Sequence, residues 1–293
     1  MGSMKAFFKN NYKLIAIGAM MVAGFGLLLY PLVANTWNNH VQETLVSNYS
    51  QAVDSAIEEG KLDVSSEMDR AIEYNEELLP SILPDSFAEA EANGTDSNYQ
   101  SILNANGDGI MGYIQIPSIN VKLPIFHTTS EEVLQIGVGH LEGSSLPVGG
   151  ENTHSVLSAH RGLPSATLFT DLDKVQIGDD FFLIILGEYL AYEVDQIEVV
   201  EPDDTSLLQV EDGQDLCTLI TCTPYGVNTE RLMVRGHRVE YTPTLLADAK
   251  TPTFGAVSLR TNYLLWVIVG LAIVAAFSLV LFIIDKKKNK KEQ

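Results

Sequence analysis

Cysteine is nearly missing from this chain: its 293 residues include only Cys217 and Cys222. A framework of several disulfides is therefore excluded. The two thiols sit five positions apart in one apolar run. On an extended strand their Cα atoms would stand roughly 16 Å apart, well past the ~7 Å that a bridge tolerates. The odd spacing also turns their side chains to opposite faces of a sheet, so one can be a core thiol while the other faces a cleft. Basic residues are scarce too, with 18 Lys and Arg against 38 Asp and Glu and a formal net charge of −20. Nucleic-acid binding calls for a basic stripe and docking on anionic lipid for a basic patch, so the shortage argues against both. An acid excess of this size favours solubility and attracts amine-bearing partners.

The few basic residues are placed unevenly. Lys5, Lys9 and Lys13 precede an apolar segment from about Leu14 to Ala34, and a Lys cluster from Lys286 to Lys291 follows a second one from about Tyr263 to Ile284. Each segment has close to the ~20 residues that cross a bilayer as helix, and flanking lysines mark the cytoplasmic end. Both termini are expected inside, with residues 35–262 outside the membrane. A cleaved signal peptide is the rival reading of the first segment. Its apolar region should run only ~7–15 residues and end in small residues, whereas this run is longer and Val33-Ala34-Asn35 is a poor match. Met1-Gly2-Ser3 ahead of Met4 is expected to be an expression remnant.

The texture between the spans changes twice. Residues 35–79 have few glycines or prolines and carry amphipathic stretches such as Val53 to Glu59, which predicts one or two helices. Breakers at Pro80, Pro84 and Asn93-Gly94 make residues 80–109 a loop and linker. Residues 110–242 then show short β-type runs, at 113–116, 121–125, 155–159, 181–186, 189–194, 216–221 and 231–239, punctuated by Gly, Pro, Asn and Asp, which predicts a mainly β barrel or sandwich of ordinary domain size. Residues 243–262 read as a linker, 263–284 as the second span and 285–293 as a basic tail. Asn104 to Gly109 imitates the start of a calcium loop, but its twelfth position is Gln115 where a bidentate Glu is required, so it reads as a turn.

Two apolar runs end on reactive residue types. Ser155-Val156-Leu157-Ser158-Ala159 ends on His160, and Thr218-Leu219-Ile220-Thr221 ends on Cys222, with Arg231 nine positions on. A Cys is a nucleophile as thiolate and needs a base or cation nearby. The ordinary role of a lone Cys is a small core hydrophobe, but Thr223-Pro224-Tyr225-Gly226 opens a loop at once and places Cys222 at a rim. Of six histidines, His160 is singled out by position, because Arg161-Gly162-Leu163-Pro164 follows it at a strand-to-loop edge. His154 and His237 lie in loop or hairpin surroundings and are expected at the surface. Arg231, Arg235 and Arg238 all qualify as oxyanion partners by type, and a solvated surface role is the ordinary alternative for each.

Ser158-Ala159-His160-Arg161-Gly162, Thr218 to Gly226 and Arg231 to Arg238 together resemble the His, Cys and Arg motifs of the sortase transpeptidases, in the family's order. The similarity runs from about Gly112 to Tyr241. Two spans and a helical amino-terminal stretch make the chain similar to the class C, pilin-polymerising branch of Gram-positive bacteria. The resemblance implies a closed eight-stranded β-barrel with short helices, and Cys222, His160 and Arg231 as catalytic residues. It implies a lid built on Pro84-Asp85-Ser86-Phe87, in which Asp85 and Phe87 cover the site and Ser86 departs from the family's usual Pro. It implies pilins as partners, bearing LPXTG-like sorting signals and an acceptor Lys, with no cofactor or metal. It also implies a two-pass cell-membrane protein whose catalytic domain faces the wall. The alternatives are a wall-anchoring sortase that uses a peptidoglycan amine, a hydrolytic cysteine protease, and a non-catalytic scaffold for pilus assembly.

Overall fold

The computed structural model describes residues 2–78, 85, 87, 96–249, 267–272 and 274, with side chains from residue 20 onward. The chain divides into two compact units, residues 30–252 and residues 1–29 with 253–293. Among the described residues one helix, Met20–Glu58, is long and apolar enough to cross a membrane, and its apolar window is unburied. The second apolar segment lies for the most part outside the described residues, although 267–272 are helical.

The sequence predicts separate span and stalk, but the chain runs as a single helix α1 (Gly2–Glu58) through both. It stops where Gly60, at φ +66°, lets the backbone turn left-handed. The amide of Gly60 then donates to Ile57 O at 3.0 Å and that of Lys61 to Ala56 O at 2.9 Å, which closes the helix end. Asp63 caps the next helix, α2 (Val64–Glu77), by accepting from Ser66 N. A short α3 (Ser97–Ser101) completes the helical region. These helices bury Val46, Tyr49, Val53, Ala71 and Tyr99 in the main core. The Tyr49 hydroxyl is satisfied twice there, donating to Met111 O at 2.8 Å and accepting from Leu186 N at 2.9 Å.

Eight strands follow: β1 (Ile110–Ile116), β2 (Val121–His127), β3 (Val138–His140), β4 (Thr153–Ser158), β5 (Asp180–Ile185), β6 (Glu188–Val200), β7 (Asp215–Thr223) and β8 (Glu230–Val239). A short helix α4 (Glu131–Leu134) lies between β2 and β3, and α5 (Pro243–Asp248) follows β8. The strands close into a barrel in the order β1-β2-β3-β4-β7-β8-β6-β5. Closure leaves no free sheet edge. The β2–β3 and β4–β7 pairs are parallel. Seven of the strands coincide with apolar runs read in the sequence, while β3 is only three residues long and contains Gly139. Asn104 to Gly109 forms a turn, with Gly107 N donating to Asn104 O at 3.1 Å.

Alternation along β4, β7 and β8 gives their sheet two different faces. Leu157, Cys217, Leu219, Leu232 and Val234 point into the barrel and join the main core. Gly236 continues that face, where a Cβ would come within 2.5 Å of the Phe181 ring, so only glycine fits. On the opposite face Val156, Ile220 and Met233 form a second apolar cluster with Leu141 and Leu208.

Candidate active site

The register of β4 on β7 decides where the reactive side chains meet. Ser158 lies opposite Ile220, and the chains stay joined past the end of β4, with Ala159 N donating to Ile220 O at 3.2 Å. Thr221 Oγ1 donates to Ala159 O at 2.7 Å, fully buried. One residue further on, His160 and Cys222 come to the same level of neighbouring strands, which are ~4.8 Å apart in such a pair. On the other side of β7, Cys222 lies directly opposite Arg231 on β8. Three segments far apart in sequence thus deliver base, thiol and cation to one rim of the second apolar cluster.

Asp85 and Phe87 cover that rim. Asp85 takes Arg231 in a two-point pair, with Nε to Oδ1 at 2.9 Å and Nη2 to Oδ2 at 2.6 Å. Arg231 Nη1 also donates to Glu230 O at 3.1 Å, and the residue is only 8% exposed. The Phe87 ring lies between the two basic side chains, 5.5 Å from the His160 ring and 5.2 Å from the Arg231 guanidinium. Phe87 packs against the second apolar cluster. Pro84 and Ser86 lie outside the described residues.

The electrostatics of the covered site oppose ionisation of the thiol. Burial pushes the Cys222 thiol up from its ordinary value; Arg231 pulls it down, and the Asp85 carboxylate pushes it up again. Cys222 is 7% exposed and Cys217 fully buried. Neither is bridged. Glu131, at the start of α4, brings Oε2 to 3.4 Å from His160 Nε2. That is ion-pair reach without hydrogen-bond alignment, and His160 Nε2 has no hydrogen-bond partner among the described residues. Glu131 is two-thirds exposed, and the amide of Gln135, donating at 2.9 Å, holds its carboxyl below the usual range.

Several residues singled out in the sequence are elsewhere. His154 is not at the surface: it is buried in β4, with Nε2 2.7 Å from Thr218 Oγ1 and Nδ1 2.8 Å from Gln209 O. The polar run Glu151 to Thr153 ahead of it resembled a loop, but the parallel pairing with β7 begins at Thr153. His237 lies in the β7–β8 hairpin, within β8, with its side chain 39% exposed. Arg235 shares the outer face with Arg231 but is tied by two bonds to Asp195 and by one to Glu211. Arg238 faces the other way, near Asp215 and over the Tyr192 ring. Glu131 has no signal in local sequence, because its neighbour His160 lies far along the chain, just past the end of β4. Among the described residues no His, Cys, Asp and Glu group is arranged to hold a metal ion.

With this geometry in view, the likenesses to known proteins fall into place. A sortase-domain family profile matches residues 114–239. The crystal structure of sortase C1 from Streptococcus agalactiae is 47% identical, superimposes with a TM-score of 0.60, and covers 68% of this chain and 100% of its own. The chain belongs to the sortase family. A second sortase structure, sortase C of Streptococcus pneumoniae, is 42% identical with a TM-score of 0.59 over 68% of this chain and 98% of that one. Sortase D of Bacillus subtilis is 34% identical over 131 residues, 44% of this chain and 63% of that relative. Both of these solved structures are sortases C, and the closed eight-stranded barrel with its amino-terminal helix is the sortase fold.

Proposed function

We propose that this sortase is a membrane-anchored cysteine transpeptidase that joins pilin subunits. The observation that carries the reading is the meeting of Cys222, His160 and Arg231 at one rim, supplied by the ends of β7, β4 and β8. The likeness to sortase C of S. pneumoniae, whose structure was described in terms of pilin substrate specificity, supports pilins as substrates. The sorting signal would lie along the second apolar cluster, with its Thr carbonyl at Cys222.

The chemistry follows from the roles these side chains can fill. The Cys222 thiolate attacks the Thr carbonyl, and the oxyanion that forms is met by the Arg231 guanidinium. Protonated His160 gives its proton to the departing Gly amine, leaving a thioester on Cys222. A Lys amine of the next pilin attacks that thioester and passes a proton to the now neutral His160. Cys222 is expelled as thiolate, and the new bond is an isopeptide. The energy of the first amide is kept in the thioester, so no ATP is required.

Asp85 and Phe87 act as a lid in this reading. The carboxylate of Asp85 fills the fork of Arg231 that the oxyanion would need, and Phe87 fills the apolar cleft. Residues 80–109 are the lid and linker, 110–242 the catalytic domain, and the apolar segments 14–34 and 263–284 two membrane anchors that place the barrel outside the cell facing the wall. Full-length protein mixed with purified pilins should yield a ladder of isopeptide-linked polymers, and Cys222→Ala should yield none. A product joined to a peptidoglycan amine instead would make the enzyme a wall-anchoring sortase.

A further inference from the structure

The residue after His160 and the residue after Cys222 are bonded to each other. Arg161 Nη1 donates to Thr223 Oγ1 at 3.0 Å. The other edges of the same guanidinium are also used: Nε donates to Thr170 O at 3.2 Å, and Nη2 pairs with Asp173. The group lies 6.0 Å from the Tyr225 ring, and the Arg161 side chain is only 7% exposed. Around it the segment 160–170 closes on itself and touches the loop that follows β7. The His160 carbonyl accepts from Phe169 N at 3.1 Å, Gly162 N donates to Thr170 Oγ1 at 3.1 Å, and a Cβ on Gly162 would come within 3.1 Å of the Tyr225 ring.

We propose that Arg161 is a positioning residue, which ties the loop carrying His160 to Thr223 at the end of β7 and so fixes the separation of base and nucleophile. The inference rests on the reading of His160 and Cys222 as the reacting pair. A parallel strand pair fixes register only as far as its last hydrogen bonds, and both reactive residues lie at or beyond them. Past that point the chain after β4 leaves into a loop while β7 stays paired to β8 as far as Thr223, and a rigid, planar group with five donors is suited to bridge the two. Its charge is neutralised by Asp173, so its contribution is geometric. A misplacement of about 1 Å in a reacting pair costs on the order of a hundredfold in rate.

The test compares Arg161→Ala, Arg161→Lys, Thr223→Val and the double variant Arg161→Ala with Thr223→Val in the full-length protein. It reads kcat and KM on a sorting peptide together with thiol labelling at both cysteines. Arg161→Ala should lower kcat about a hundredfold with KM little changed, and Thr223→Val about tenfold. The double variant should be no slower than Arg161→Ala, because both changes cut the same link. Arg161→Lys should recover part of the loss. Cys217 reports on folding: it is fully buried inside the barrel, so it should stay unlabelled in every variant. Unchanged kcat in Arg161→Ala, strictly multiplicative losses in the double variant, or a kcat loss that comes with labelling of Cys217 would each overturn the proposal. If Arg161→Ala fails to fold, Thr223→Val and Arg161→Lys carry the test alone. Were His160→Ala to retain full activity, the reading beneath the proposal would fail first and separately.

Discussion

Cys217 and Cys222 are one residue type on one strand, five positions apart, and the fold gives them different surroundings. Cys217 faces the barrel interior, where burial pushes its thiol well above the ordinary range and the Asp215 carboxylate adds to the shift. Cys222 faces the outer cluster at the strand end, opposite a guanidinium that opposes the burial effect. Strand parity and distance from the strand end, rather than residue identity, give the two thiols their different surroundings, and on the proposed reading only Cys222 is the nucleophile. The same parity divides the arginines of β8, with Arg231 and Arg235 outward and Arg238 opposite.

The comparison breaks most visibly at the thiols. Cys222→Ala should abolish peptide cleavage and polymer formation. Cys217→Ala should keep activity and lose about 1 kcal/mol of stability through poorer packing. An essential Cys217 in a folded protein would invert the comparison. Next in size are the partners of Cys222. His160→Ala and Arg231→Ala should each lower kcat on the order of a thousandfold with circular dichroism unchanged. Arg235→Ala should have a much smaller effect, because its partners are Asp195 and Glu211 rather than the rim. Equal losses at Arg231 and Arg235 would remove Arg231 from its assigned role.

A smaller effect is expected from the cover. Asp85→Ala with Phe87→Ala removes a burying ring and a repelling carboxylate, and both of these disfavour the thiolate. The thiol pKa should therefore fall, and alkylation of Cys222 should become about tenfold faster near neutral pH, with its half-maximal pH moved downward. Stability should drop by ~1–3 kcal/mol as the ion pair and an anchor aromatic are lost. Unchanged alkylation would make this segment an ordinary linker. Ser86→Pro should slow alkylation by stiffening the segment, provided the backbone there suits proline.

The smallest effect on activity concerns a fully buried side chain. His140 is held neutral by burial, its pKa lowered to about 4 from 6.5. The folded state binds the proton less readily than the unfolded chain. This contribution to stability is complete above pH 6.5 and is lost as pH falls toward 4, by about 3 kcal/mol in all. Thermal melts across that window should show the loss, and His140→Gln should flatten it while leaving kcat unchanged.

Much of the fold was legible in the sequence because strands announce themselves by local alternation and breakers. Seven strands, the turn at Asn104 to Gly109 and the placement of Cys222 and His160 at strand ends all follow from neighbours within a few positions. The strand β3 escaped because three residues with a central glycine carry no period. His154 was misplaced because its burial depends on Thr218 and Gln209, more than fifty residues away. The neighbours of the candidate site, Glu131 beside His160 and Arg161 on Thr223, were invisible for the same reason: closing the barrel, and not any local pattern, brings them together. The single helix through span and stalk was read as two regions because the composition changes along it while the backbone does not.

The most direct measurement is to trap the acyl intermediate. Full-length protein incubated with a sorting peptide and no amine acceptor, quenched in acid and mapped by mass spectrometry, should carry the acyl group as a thioester on the fragment containing Cys222, at the site's own rim, with Cys217 unmodified. An acyl group found on Cys217, or steady cleavage of the peptide by Cys222→Ala, would contradict the account.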